Sequence, residues 1–124
     1  MAKILVVEDN TDLLTILRDL LASDHEVVTA RRGEEAVERA RTMEPDVIIM
    51  DLQLPSMSGI EAGRWIKQEM AEVPILALTA LAQSGDSEMV LQSGCCDAYM
   101  AKPASLADIR QKVEELLEGR TEAA

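Results

Sequence analysis

The chain has 124 residues, the length of one domain rather than two, and a chain of this size can hold a core without disulfide or metal staples. Twelve Lys and Arg against 23 Asp and Glu give a formal charge of −11, a field that repels phosphate backbones and anionic lipid and argues against direct binding to nucleic acid or a membrane surface. Trp65 and Tyr99 are the only aromatics, too few to stack bases, and hydrophobic residues make up 48% with no apolar run near the roughly 18 residues of a membrane span.

The start, Met1-Ala2-Lys3, leads straight into a strand-like segment with no signal-peptide core. Cys95 and Cys96 are adjacent, and such neighbours rarely reach disulfide geometry. Both features point to a reduced, cytoplasmic protein.

Ile4 to Val7 is a continuous apolar run, as expected of a strand covered on both faces. Leu13, Ile16, Leu17, Leu20 and Leu21 then repeat at helical spacing and predict one buried face. Val27 to Ala30 is a weaker run, suited to a sheet edge. Glu34 to Met43 predicts a helix burying Ala36, Val37 and Ala40. Pro45 precedes the second strong run, Val47 to Met50, where a missing N–H is harmless. Ser58-Gly59-Ile60-Glu61 has the capping-box pattern and opens a helix to about Met70. After Pro74 comes the third strong run, Ile75 to Leu78. Gln83 to Ser93 predicts a shorter helix closed by Gly94. Ala98 to Ala101 is the second edge candidate. Ser105 caps a last helix with Leu106, Ile109, Val113 and Leu116 inward and Gly119 past its end, leaving 120–124 as a frayed tail.

The pattern is β-α repeated five times, an α/β doubly wound parallel sheet of five strands in one domain over 1–124, with its core at about 3–118. Ligands of such sheets sit beyond the carboxyl ends of the strands. Glu8, Asp9 and Asn10 follow the first strand, and Asp51, Leu52 and Gln53 follow the third. The fourth ends in Thr79-Ala80 and the fifth in Lys102-Pro103. Three carboxylates, a hydroxyl and an ammonium would meet on one rim. Crowded carboxylates raise their pKa values or take up a cation. Oxygen-only ligands suit a hard ion such as Mg²⁺. That ion would let an anionic phosphoryl group approach, and Asp51 could attack it to form an acyl phosphate. Lys102 would offer a point charge and Thr79 a hydroxyl.

These residues resemble a response-regulator receiver domain of two-component signalling. The resemblance covers about Lys3 to Leu117. It rests on Glu8-Asp9, on Asp51 followed by Gln53-Leu54-Pro55 and Gly59, on Thr79-Ala80 and on Lys102-Pro103, each at a strand's end. It implies the flavodoxin-like (βα)5 fold with strand order 2-1-3-4-5. It implies that Asp51 is the phosphoacceptor. Asp9, Asp51 and the Gln53 backbone carbonyl would hold Mg²⁺ or Mn²⁺, with Glu8 acting mainly through water. Thr79 and Tyr99 would be the paired switch residues and Lys102 the phosphoryl-binding lysine. A cis Lys102-Pro103 bond is expected. The type is similar to the free-standing receivers of phosphorelays, although 78–103 also resembles receivers attached to hybrid kinases.

The implied function is to take a phosphoryl group from a sensor histidine kinase or a histidine phosphotransfer protein. The receiver then switches binding to a downstream protein, as a monomer or a weak phosphorylation-dependent dimer. It is not an enzyme beyond promoting its own phosphorylation and dephosphorylation. The donor would dock beside Asp12, Leu13, Thr15 and Arg18 and the loop after the fifth strand. Gln53 and Leu81 stand where the family places residues that handle the hydrolytic water. Leu81 offers it no hydrogen bond, so a long-lived phosphoryl group is expected.

The rivals fit less well. A flavin phosphate would meet repulsion at Glu8-Asp9-Asn10. A haloacid-dehalogenase-type phosphatase needs a second Asp where Gln53 stands. A binding module without phosphorylation would not need Asp51, Thr79 and Lys102 together. A receiver cut from a longer protein stays open. Trp65 is expected to be a partly buried packing residue, His25 a surface residue, and Cys95 and Cys96 small packing residues.

Overall fold

The computed structural model describes residues 2–55, 57–79 and 86–123. Ten elements alternate along the chain: β1 (Lys3–Val7), α1 (Thr11–Ala22), β2 (Glu26–Ala30), α2 (Gly33–Met43), β3 (Val47–Asp51), α3 (Gly59–Glu69), β4 (Ile75–Thr79), α4 (Asp86–Gln92), β5 (Ala98–Ala101) and α5 (Leu106–Ala123). All pairings are parallel, and the strand order is β2-β1-β3-β4-β5, the flavodoxin-like order that the resemblance implies. The three continuous apolar runs are the three inner strands, and the two weaker runs are the edges.

Side-chain alternation splits each inner strand between two cores. Leu5, Val7, Ile48, Met50, Ile75 and Ala77 pack with Ala36 and Ala40 of α2, Ala62 and Ile66 of α3, and Val90 of α4. Ile4, Val6, Val47, Ile49, Leu76 and Leu78 pack with Leu14, Leu17 and Leu21 of α1 and Ile109 and Val113 of α5. Burial on both faces explains why these strands read as unbroken apolar runs.

Caps fall where short polar side chains reach first-turn amides. Asn10 accepts from Leu13 N at 3.0 Å, Ser58 from Glu61 N at 3.2 Å and Ser105 from Asp108 N at 3.0 Å. Gly94 has φ +79°, the left-handed conformation expected after α4.

Several expectations are corrected. Helix α1 buries Leu14 with Leu17 and Leu21, and leaves Ile16 46% exposed. Six apolar residues fall between 13 and 21, more than one face needs, so periodicity alone does not set the phase. Leu106 is exposed, because α5 turns Ile109 and Val113 inward instead. Gly119 does not end α5, which runs to Ala123. A helix-interior glycine costs only about 1 kcal/mol and stops nothing by itself. Residues 83–85, expected to begin α4, lie outside the described residues. His25 is not a free surface residue: Nδ1 accepts from Ala2 N at 3.1 Å and Nε2 meets Glu114 Oε1 at 2.8 Å, tying α5 to the start of the sheet. Cys95 and Cys96 are buried packing residues as expected, and Trp65 is half exposed. No helix among the described residues is long and apolar enough to cross a membrane.

Candidate phosphoacceptor and cation site

The carboxyl edge of the sheet gathers the chemistry. Among the described residues the buried polar side chains are Glu8 (2% exposed), Asp51 (4%) and Thr79 (0%), and all three lie at this edge. Buried polar groups need partners, so their concentration at one rim marks a built site rather than a solvated turn.

The strands place each residue. Glu8 N donates to Ala30 O at 3.0 Å, which carries the β1–β2 ladder one step past Val7 and fixes Glu8 inward. Asp51 ends β3 opposite Leu78, and Thr79 ends β4 opposite Ala101. Lys102 N donates to Thr79 O at 2.8 Å, so the ladder also sets where Lys102 leaves the sheet. The Lys102-Pro103 peptide is cis, as the resemblance implies.

The side chains meet at hydrogen-bond distance. Lys102 Nζ lies 2.8 Å from Glu8 Oε1 and 3.4 Å from Asp51 Oδ2. Asp51 Oδ1 accepts from Gln53 N at 3.0 Å, and Glu8 Oε2 accepts from Asn10 N at 3.1 Å. Each acid therefore has one oxygen held by the backbone and one facing the ammonium. Burial lowers the Lys102 pKa, but its hydrogen bond to Glu8 and the charges of Asp51 and Glu8 outweigh burial, and the net shift is upward.

One ammonium does not balance three carboxylates. Glu8, Asp9 and Asp51 each offer an oxygen, and these lie within 4.8 Å of one another. Asp9 is exposed while the other two are buried, so the set opens to water on one side. An oxygen-only set with an open side fits Mg²⁺ or Mn²⁺, which keep several waters.

The remaining predicted residues divide. Gln53 uses its backbone N–H to hold Asp51, and its side chain is exposed. Tyr99 pairs in register with Ala77, shares the sheet face of Thr79 and packs against the α2–α3–α4 core. Ala80 and Leu81 lie outside the described residues. Leu13, Leu78, Lys102, Pro103, Ala104 and Ile109 line a cleft of about 430 Å³ beside the rim.

Two groups near the rim escape sequence reasoning. Arg31 Nη2 donates to Asp9 O at 3.0 Å and to Thr11 Oγ1 at 2.8 Å, and Glu34 Oε1 accepts from Met57 N at 3.1 Å. A charged stretch at a strand end reads as a solvated turn, and only the fold shows which backbone it touches.

Known proteins share the sequence pattern and the fold. The response regulator receiver domain family model matches residues 4–114. The polar-differentiation response regulator DivK of Brucella ovis is 40% identical over 117 residues, covering 92% of this chain and 94% of that protein. The receiver domain of the sensor histidine kinase PA1611 from Pseudomonas aeruginosa PAO1 has a magnesium ion coordinated in its active-site cleft. It is 36% identical with a TM-score of 0.85, over 94% of this chain and 98% of that one. A CheY-like receiver domain protein from Methanospirillum hungatei JF-1 superposes with a TM-score of 0.93 at 25% identity, over 100% of this chain and 99% of that one.

Proposed function

Because the chain belongs to the response regulator receiver family, a family of phosphoacceptor signalling modules rather than classical enzymes, we propose that Asp51 is the residue that takes the phosphoryl group. The observation that carries this reading is the placement of Lys102 Nζ against both Glu8 and Asp51 at the buried rim. A nucleophilic carboxylate and a cation for the incoming phosphoryl oxygens stand side by side.

Asp9, Asp51 and the Gln53 carbonyl would hold a divalent cation, with Glu8 acting mainly through water. When bound, Mg²⁺ or Mn²⁺ supplies positive charge that lets an anionic phosphoryl group approach Asp51. The Asp51 carboxylate oxygen attacks phosphorus, the bond to the donor nitrogen breaks, and an acyl phosphate remains on Asp51. Lys102 turns toward the phosphoryl oxygens while Glu8 keeps it on the rim. Thr79 donates its hydroxyl to the same oxygens. Its movement frees space on the face it shares with Tyr99, and the turn of Tyr99 changes the α4–β5–α5 surface.

The donor is a sensor histidine kinase or a histidine phosphotransfer protein. Its phosphohistidine reaches Asp51 past α1 and the loop after β5, where Leu13, Pro103 and Ile109 line an apolar cleft. The output is altered binding of a downstream protein. The unit works as a single receiver over 1–124, like the DivK relatives, in the reduced cytoplasm where Cys95 and Cys96 stay free. Mass mapping after exposure to acetyl phosphate and Mg²⁺ tests the reading: Asp51 carries the label, and Asp51→Asn carries none.

A further inference from the structure

The β2–α2 turn and the first turn of α2 hold no residue of the phosphoacceptor rim, yet together they are bonded to both loops that carry the proposed cation ligands. On the β1–α1 side, Arg31 Nη2 donates to the Asp9 carbonyl at 3.0 Å and to the Thr11 hydroxyl at 2.8 Å. The Arg31 amide in turn donates to Glu35 Oε1 at 2.7 Å, which fixes the arginine against the first turn of α2. On the β3–α3 side, Glu34 Oε1 accepts from Met57 N at 3.1 Å. Gly33 lies so close to Met57 that a Cβ there would stand 2.5 Å from the Met57 carbonyl oxygen. Four consecutive residues, 31–34, thus touch the backbone of Asp9 and the backbone of the loop that follows Asp51 and Gln53.

We infer that Arg31 and Glu34 are positioning residues for divalent-cation binding, bridging the loop of Asp9 to the loop of Gln53 through the β2–α2 turn and the start of α2. The inference rests on the reading that Asp9, Asp51 and Gln53 hold the cation. Asp9 is exposed and sits on a loop, so its carboxylate is placed only as well as its backbone is placed. Losing a partner that orients a metal ligand lowers metal affinity even though the ligand itself is kept.

Charge and position predict opposite signs, which makes the inference testable. Arg31 is a cation near the cation site, so removing it should tighten Mg²⁺ binding if only Coulomb forces act. Removal should weaken binding if Arg31 positions Asp9. Glu34 is an anion, so Glu34→Gln should weaken Mg²⁺ binding if charge matters. It should leave binding unchanged if only the accepting oxygen for Met57 N–H matters, because the amide retains one.

The experiment is a MgCl2 titration of unphosphorylated protein, read by backbone amide shifts, for wild type, Arg31→Gln, Arg31→Lys, Glu34→Ala, Glu34→Gln and Asp9→Asn. Arg31→Gln and Glu34→Ala should each raise the Mg²⁺ Kd roughly three- to tenfold. Arg31→Lys should lie between Arg31→Gln and wild type, and Glu34→Gln should match wild type. Exchange of the Met57 amide with solvent should speed up in Glu34→Ala and not in Glu34→Gln. Unchanged or tighter binding in Arg31→Gln, or equal weakening by both Glu34 variants, would overturn the inference while the site reading stands. A wild type that takes up no Mg²⁺, or an Asp9→Asn variant that binds it normally, would overturn the site reading and the inference with it.

Discussion

Lys102 and Glu8 are 94 positions apart in the chain, yet the ammonium of one lies 2.8 Å from the carboxylate of the other, closer than it lies to Asp51. Glu8 is thus the residue that keeps Lys102 on the rim, and Asp51 keeps an oxygen available beside it. The contact has a pH signature. The Lys102 pKa is raised in the folded state, so its stabilising contribution is fully present below the unfolded lysine value of about 10.4. It is lost as pH rises through the higher folded value. Thermal melts of wild type and Lys102→Met should therefore differ by a constant amount from pH 7 to about 10 and converge above that. A gap that is flat to pH 12, or that closes below pH 9, would contradict this assignment.

The loop after Asp51 is held by close backbone approach at Gly59. Gly59 N donates to Leu52 O at 3.0 Å, and a Cβ on Gly59 would stand 2.2 Å from Asp51 O and 2.6 Å from Leu52 Cα. Neither obstacle is a flexible side chain. Gly59→Ala should cost about 2–4 kcal/mol in urea unfolding and also slow labelling from acetyl phosphate, because the shift passes directly to Asp51. A stable variant with wild-type labelling would show that the loop yields freely.

The two apolar faces of α1 make separate predictions. Leu17 is buried against the β1–β3 core, so Leu17→Ala should cost about 2–5 kcal/mol in urea unfolding. Ile16 is half exposed, so Ile16→Ala should cost less than about 1 kcal/mol. Equal losses would mean that the helix is rotated from the orientation described.

These residues also mark what the sequence could reveal. Continuous runs of large aliphatic residues such as Val47 to Met50 fit inner strands, because burial on both faces favours an apolar residue at every position. The rim residues are legible as candidates because each ends a strand or stands just beyond one. Residue types at strand ends say less about contacts with distant backbone. Arg31 on the Asp9 carbonyl, Glu34 on the Met57 amide and His25 between Ala2 and Glu114 all depend on tertiary register. The phase of α1 and the end of α5 are not legible, because an excess of leucines, or one glycine, leaves the local choice open.

The proposed switch role of Thr79 and Tyr99 separates labelling from response. Thr79 is fully buried at the end of β4, and Tyr99 shares its sheet face two residues before Ala101. Thr79→Ala should accept phosphate yet fail to shift the amide resonances of β5 and α5 that move in the wild type. Full wild-type shifts in phosphorylated Thr79→Ala would remove Thr79 from the switch.

The central claim is that Asp51 accepts phosphate with a divalent cation and Lys102 beside it. It is tested most directly by peptide mass mapping of protein incubated with acetyl phosphate, in Mg²⁺ or in chelator, for wild type and Asp51→Asn. The account predicts one added phosphoryl group on Asp51 in wild type with Mg²⁺, and none in chelator or in the variant. Labelling of Asp51→Asn at the wild-type rate, or labelling that chelator leaves unchanged, would contradict it.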